Sequence, residues 1–528
     1  MRTSTVAFTA LLAAVTGCAA SGCAAEIGPP ELYPIEEVAL FGDLGSISDL
    51  PIVPAPLPED GGEYAYTLSM PAGNHLWKVP LIGKLASGAC LDGSPAMAYV
   101  KAAPVWSAHR NDWVVFIPGG GSVQDVDDAV ALYFDEDAEL GDEEDKTYGE
   151  MSSRWAPPSI GPGGILDPTT WLNPFSTFNM VFIHKCSYDR FMGRRDAFAS
   201  PLRLFHGIDG VVPGGSTNEV GIPLDAGSTI DLTFRGHDIV DATIQTLATS
   251  TVTYDDGGML KSMPSLATAD TVLFIGHSGG ARGATMIIDD VAEKIRDYSP
   301  EADVRLVMDA GFDPGAESVV NGSAYPANDF PTNDPANGGN PLAFAAESWA
   351  GFDQIWGADG DATCLANEAN DSVCGDAIHV LFNWIETPMY VRQDLYDSGH
   401  ATGKNEAGTK VTNCWQNGWD PNLDDCYGDT WDLADAVLDQ IADLPLLPTQ
   451  ALTHTVLGTT LIPPSGFFPA CGSHPGAHTD EGFQATLTGV NGGHGSYALA
   501  LWLWYRNPNT SFGAVEATTP AAIPTSCP

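Results

Sequence analysis

Apolar, β-branched runs that break off at Gly, Pro or Asp recur at wide intervals along the chain: "WVVFIPGGG" at 113 to 121, "MVFIHKCSYD" at 180 to 189, "TVLFIGHSGG" at 271 to 280, "DVRLVMDAGFD" at 303 to 313 and "TPMYVRQDLYD" at 387 to 397. Nearly continuous apolar runs of this length suit strands covered on both faces. Between them the period changes. After Ser278, the residues Ala281, Ala284, Ile288, Val291 and Ile295 fall at three- and four-residue steps, with Asp289, Asp290, Glu293 and Lys294 on the opposite side. That is an amphipathic helix. Similar stripes lie around Ile239 to Leu247, Leu433 to Ile441 and Tyr497 to Tyr505. Strand and helix in alternation predict an α/β fold, a mostly parallel sheet with helices on both faces. In such a sheet the chemistry gathers at the carboxyl ends of the strands.

The first residues do not follow this pattern. One basic residue, Arg2, precedes an apolar run from Val6 to Val15, and small residues lead into Cys18. The run is too short to span a bilayer and reads as a signal peptide over 1–17. Val15-Thr16-Gly17-Cys18 has the order of a bacterial lipobox, which makes Cys18 the expected lipid attachment site and Cys23 a second candidate. The mature chain is then expected to be exported, as an outer-membrane or cell-surface lipoprotein or a secreted protein. Residues 18–62 are rich in Pro and acidic residues, and no Lys or Arg occurs until Lys78, so this stretch reads as an extended tether. No repeat or second linker divides residues 63–528, which are expected to form one catalytic domain.

Eight cysteines follow the tether: Cys90, Cys186, Cys364, Cys374, Cys414, Cys426, Cys471 and Cys527. None forms a C-x-x-C pair, which argues against zinc or thioredoxin-type chemistry, and an even number in an exported chain favours disulfides. Cys364 with Cys374 and Cys414 with Cys426 are close enough to staple local loops. The formal net charge of −46, from 68 acidic and 22 basic residues, opposes nucleic acid and anionic membrane surfaces as partners. The only membrane contact expected is the lipid anchor. The densest acidic run, Phe134 to Glu150, lacks the spacing of an EF-hand loop and reads as a solvated surface segment. No metal or cofactor is expected.

The chemistry centres on Gly276-His277-Ser278-Gly279-Gly280, a G-x-S-x-G pentapeptide set between the run "TVLFI" and the amphipathic stripe. Strand, turn, helix is the setting of a nucleophile elbow, in which the turn is so tight that side chains two before and two after the serine would collide with backbone. Ser278 is the expected nucleophile of an α/β-hydrolase-like fold. The amide of Gly279, at the helix N-terminus, faces the place where negative charge develops on an ester carbonyl. Gly119-Gly120-Gly121 follow an upstream strand, and Gly120 and Gly121 are expected to supply further oxyanion-hole amides. The base and its orienter should follow in the order acid, then His. Pattern alone leaves His379, His400, His454, His474, His478 and His494 open, and Asp397, Asp309 and Asp313 as acids.

Several long segments resemble the pectin acetylesterase and Notum family of carboxylester hydrolases. "CLDGSPAMAYVK" from Cys90 resembles its entry strand, "NPFSTFNMVFIHKCSYDRFMG" from Asn173 its next block, and "GHSGGARGATMIIDDVAEKI" its elbow and helix. "VRLVMDAGF" resembles the following strand, "TPMYVRQDLYDSG" the acid-bearing strand and "GFFPACGSHPG" the base-bearing segment. The resemblance implies Ser278 as nucleophile, Asp397 as orienter and His474 as general base, with Asp309 structural and His494 in reserve. It also implies disulfides Cys90–Cys186 and Cys364–Cys374. One departure bears on the acyl pocket: family members carry Trp and then Cys after the oxyanion glycines, where this chain has Ser122-Val123.

The expected activity is that of a serine carboxylester hydrolase removing acetyl or other short acyl groups from a polysaccharide or small-molecule substrate. A chain this acidic repels a polygalacturonate, so a neutral polymer or small ester is the alternative substrate. A surface binding lipoprotein that has kept the fold without the chemistry is the alternative of another class. Trp106, Trp155, Trp171, Trp349 and Trp356 are possible sugar-stacking faces.

Overall fold

The computed structural model describes residues 75–122, 153–195, 229–312, 356–397, 465–507 and 513–515 apart from short breaks, together with strand residues 202–205, 402–404, 410–412, 454–456 and 459–461. The expected signal peptide, Cys18, Cys23, the tether, the acidic run, the stripe at 433–441, Gly121, Asp313, His400, Trp155, Trp349, Cys414, Cys426, Cys471 and Cys527 lie outside the described residues.

Ten strands form the main sheet: β1 (Leu76–Pro80), β2 (Met97–Lys101), β3 (Asp112–Ile117), β4 (Ser159–Ile160), β5 (Asn179–Ile183), β6 (Thr271–His277), β7 (Asp303–Asp309), β8 (Met389–Arg392), β9 (Ser465–Phe468) and β10 (Gly513–Val515). Their order is β10-β9-β8-β7-β6-β3-β5-β2-β1-β4. From β10 to β5 every neighbour is parallel, and β2, β1 and β4 continue the sheet antiparallel. All five apolar runs of the sequence are therefore strands of the parallel part. Where the pattern fell short is the antiparallel edge: β1, "LWKVP", is broken by Lys78 and ends on Pro80, so it lacks the long apolar signature.

The helices are α1 (Gly236–Thr249), α2 (Gly279–Tyr298), α3 (Ala362–Asn367), α4 (Ala377–Asn383), α5 (Asp480–Gln484) and α6 (Tyr497–Arg506). Strand side chains alternate between two cores, as the two-residue period of a strand requires. Val272 and Phe274 of β6 enter one, with Ile239 and Ile244 of α1 and Ala284, Ile288 and Val291 of α2. Leu273 and Ile275 enter the other, with Phe116 and with Tyr497, Leu501 and Trp504 of α6. Helices thus cover both faces, and all five apolar positions expected of α2 are buried. Among the described residues no helix is long and apolar enough to cross a membrane.

Two disulfides are formed, Cys90–Cys186 and Cys364–Cys374. The first ties the segment before β2 to the segment after β5, and the second ties α3 to the segment just before α4. Of the tryptophans, Trp356 is fully buried in the core, whereas Trp106 and Trp171 are exposed.

Because Ile288 is wholly buried between α2 and the sheet, Ile288→Ala is expected to lower unfolding free energy by about 2–5 kcal/mol. Glu293→Ala, on the exposed side of the same helix, is expected to stay within about 0.5 kcal/mol. Urea titrations of the two variants check this contrast.

Candidate active site

The turn between β6 and α2 is held by sterics. Ser278 has φ +52° and ψ −123°, in the left-handed half of backbone space that a non-glycine residue occupies only under constraint, at roughly 1–3 kcal/mol. A Cβ on Gly276 would lie 2.5 Å from the Gly280 carbonyl oxygen and 2.7 Å from the Ala281 Cα, and one on Gly280 would run into the Pro118 carbonyl. Both glycines are therefore required by backbone approach. The Ser278 amide donates to the Asp309 carbonyl at 2.8 Å. Its hydroxyl does not cap α2, so it remains at the helix mouth, half-buried.

The upstream glycines pack directly onto this turn. A Cβ on Gly119 would come within 2.5 Å of the Ser278 Cβ, and a Cβ on Gly279 within 2.9 Å of the Gly120 carbonyl oxygen. Gly120 has φ +114°, a conformation that suits only glycine. Two of the three expected oxyanion positions, Gly120 and Gly279, are thus adjacent to each other and to Ser278.

His474 and Asp397 come together from distant sequence. The His474 Nδ1 lies 2.6 Å from Asp397 Oδ1, and Gln393 Nε2 donates to Asp397 Oδ2 at 2.7 Å. Asp397 is fully buried. Burial works to lower the His474 pKa, but the Asp397 charge and hydrogen bond outweigh it and hold the imidazole above its ordinary range. The His474 ring sits 5.1 Å from that of His277, the residue before Ser278. Asp397 does not end a strand as its sequence run suggested: β8 stops at Arg392, and the polar residues that follow turn inward. Arg392 makes two hydrogen bonds to Asp394, at 2.8 and 2.9 Å, with both side chains buried.

Asp309 has a different setting. Its Oδ2 accepts from the Ala477 amide at 2.6 Å and lies 3.1 Å from His277 Nδ1, while its Oδ1 is 3.7 Å from Arg392 Nε. Burial alone would raise the carboxyl pKa; the His277 hydrogen bond and the Arg392 and His277 charges bring it below the ordinary value. Burial lowers His277, and drives His478 down to about 3, so both rings are neutral near pH 7. Of the other open histidines, His379 of α4 pairs with Glu368 at 2.8 Å. The His454 and His494 side chains lie outside the described residues.

Sequence reasoning passed over the inward polar network of His277, Arg392, Gln393 and Asp394. The available signal was the unbroken polar triplet Arg392-Gln393-Asp394 at the end of an apolar run.

Residues 74–208 match the pectinacetylesterase family model. Among solved structures, the Wnt deacylase Notum from Drosophila is similar, with a TM-score of 0.52 and 17% identity over 86% of this chain and 99% of that one. At that identity the similarity is one of fold: an α/β-hydrolase-like arrangement. No curated protein matches the chain. The family resemblance read from the sequence is thus supported within residues 74–208, a stretch that ends before the serine turn.

Removing the Asp309 carboxylate would leave a buried Arg392 and the Ala477 amide without it. Asp309→Ala is expected to destabilise the fold by about 3–5 kcal/mol, measured as a fall in the midpoint of guanidinium unfolding.

Proposed function

We propose that the chain is an exported serine carboxylester hydrolase that removes acetyl or other short acyl groups from a polysaccharide, through Ser278, His474 and Asp397 and an acyl-enzyme. The observation that carries this reading is a serine held at φ +52° at the mouth of α2, with a half-buried His474, bonded to the buried Asp397, whose ring lies 5.1 Å from that of the neighbouring His277. The pectinacetylesterase match over 74–208 supports ester chemistry.

With Nδ1 bonded to Asp397, the proton resides there and Nε2 is the basic nitrogen. Nε2 takes the Ser278 proton as Oγ attacks the ester carbonyl carbon. The tetrahedral oxyanion is met by the amides of Gly279, Gly120 and Gly121. The C–O bond to the alcohol breaks, and the alkoxide leaves with the proton from His474. Water, deprotonated by His474, then cleaves the acyl-enzyme and releases the acid. Export and lipid attachment at Cys18 complete the reading, and would confine the enzyme to polymers and esters outside the cytoplasm.

The net charge favours a second substrate class. At −46 the protein repels a polyanionic chain at low salt, so esters of neutral polymers or small alcohols stand beside acetylated pectin. Acetate release from acetylated pectin, acetylated xylan and aryl acetates, each with and without added salt, separates the two.

A fluorophosphonate is expected to label wild-type Ser278 and not Ser278→Ala, and a silent wild-type protein would mean a binding role for the same fold. His474→Ala and Asp397→Ala should each lower kcat by roughly 10⁴- to 10⁶-fold. If His494→Ala lost activity and His474→Ala kept it, the base would be His494.

The base acts as neutral imidazole, so labelling should rise with pH through the His474 pKa, which Asp397 holds above the ordinary value of 6.5. In Asp397→Asn the charge is gone, and the inflection of the residual labelling rate should move to lower pH. An inflection that stayed in place would separate Asp397 from the base.

A further inference from the structure

The Asp397–His474 pair has a counterpart. Asp309 and His277 form a second carboxylate–imidazole pair, and His277 stands directly before the serine. The reaction steps above leave this pair without a task. Asp309 is held below the ordinary carboxyl value and is ionised, so the 3.1 Å contact places the His277 proton on Nδ1, as donor to Asp309 Oδ2. The His277 side chain is buried. Burial outweighs the Asp309 bond and charge and lowers its pKa, which leaves a neutral ring near pH 7.

The loop that carries His474 is built onto this second pair. The Ala477 amide donates at 2.6 Å to Asp309 Oδ2, the same oxygen that His277 Nδ1 meets. A Cβ on Gly476 would lie 2.8 Å from His277 Nδ1 and 2.4 Å from His478 Nδ1, so the backbone passes the two rings more closely than a side chain permits. The centre of the His277 ring is 5.1 Å from that of His474, with the planes at 40°, and 5.0 Å from that of His478, with the planes at 57°. His478 rests in turn on Phe116, also at 5.0 Å. Such separations are ring-to-ring contact.

This contact constrains the base in two ways. The hydrogen bond to Asp397 fixes where one edge of the His474 ring lies, whereas a ring packed beside it fixes the plane and hence the direction of Nε2. The second constraint is exclusion of water. Asp397, Asp394 and Arg392 act on the His474 charge, and Asp309 and Arg392 on that of His277. The largest of the effects on His474 is burial, which works to lower its pKa, and the His277 ring supplies part of that burial. Taking the ring away would admit water, and water favours the imidazolium form.

Resting on the hydrolase reading above, we propose that His277 is a positioning residue for the base: held by Asp309, its ring sets the plane of the His474 imidazole and keeps water from that side. The Asp309–His277 pair moves no proton in the reaction. Its proton stays on Nδ1 while His474 gains one from Ser278 and passes it to the leaving alcohol. A charge on His277 would oppose the imidazolium of His474 at a ring separation of 5.1 Å, so His277 has to stay neutral throughout.

Two variants of the full-length protein separate the ring from its bond. His277→Asn keeps a nitrogen donor near the Nδ1 position for Asp309 and removes the rest of the ring; His277→Phe keeps a ring and removes the bond. Fluorophosphonate labelling against pH, kcat and KM on an aryl acetate, and guanidinium unfolding are measured on both. His277→Asn is expected to lower kcat about tenfold with KM within about twofold, and to move the labelling inflection up by roughly 0.5 in pH as water reaches the base. His277→Phe is expected to hold the inflection at or below its wild-type position and to lower the unfolding midpoint. An inflection that stays in place in folded His277→Asn overturns the proposal, and so does an equal upward move in both variants. If wild type is neither labelled nor active on the aryl acetate, the hydrolase reading falls and the proposal with it. Should the variants fail to fold, side-chain NMR of the wild-type histidines decides. His277 is expected to keep its Nδ1 proton and stay neutral over the pH range in which His474 titrates, and a His277 that is protonated together with His474 overturns the proposal.

Discussion

One buried carboxylate, Asp309, connects the parts of the site. Its main-chain oxygen receives the Ser278 amide, its side chain receives the Ala477 amide and pairs with His277, and Arg392 of β8 lies 3.7 Å away. Three segments far apart in the chain, the serine turn, the loop carrying His474 and the strand leading to Asp397, are registered against this one group. An ionised carboxylate in a fully buried place is tolerable only with such donors around it, and the same donors make it rigid. Asp309 is a positioning residue: it fixes where the serine and the imidazole stand.

Strain at Ser278 follows from that frame. The turn is squeezed between Gly119 on one side and α2 on the other, and the glycines at 276 and 280 are the places where backbone passes too close for any side chain. The same close approach of backbone holds the Ser278 hydroxyl at a helix mouth, next to Gly120 and Gly279. A second strained segment, 188–191, in which Tyr188, Arg190 and Phe191 have positive φ, is built in the same way, with the buried Asp189 carboxylate gathering backbone and hydroxyl donors.

The two faces of the sheet carry different charged groups near the serine turn. On the face of α6 lie His277 and His478, which burial keeps neutral near pH 7, and beside them His474, paired with Asp397. On the face of α1 and α2 lie Lys185 and Arg190, around the small pocket beside Gly120 and Gly279, and Arg282, whose charge also feels Asp397 and Asp376. The global charge of −46 says nothing of this division, because fields within a pocket of low dielectric are set by the nearest few groups.

What the sequence by itself determined was local and periodic. The five apolar runs became parallel strands, the stripe after Ser278 became α2 with each of its apolar positions buried, and the glycines of the elbow were legible because steric need at a tight turn is a property of neighbouring residues. The pairing of Cys90 with Cys186 was legible through resemblance. Tertiary structure alone decided what joins residues that pattern could not rank. Asp309 and Asp397 both follow apolar runs, and only packing sets one against Ala477 and His277 and the other against His474. Arg392, Gln393 and Asp394 read as the polar end of a strand, yet they turn inward because each finds a partner there. Lys185 and Arg190 look like ordinary charges after a strand, yet the fold brings both to the pocket beside Gly120 and Gly279. Periodicity reports which face of an element is buried; which buried groups meet depends on contacts between elements hundreds of residues apart, and no local pattern carries that information.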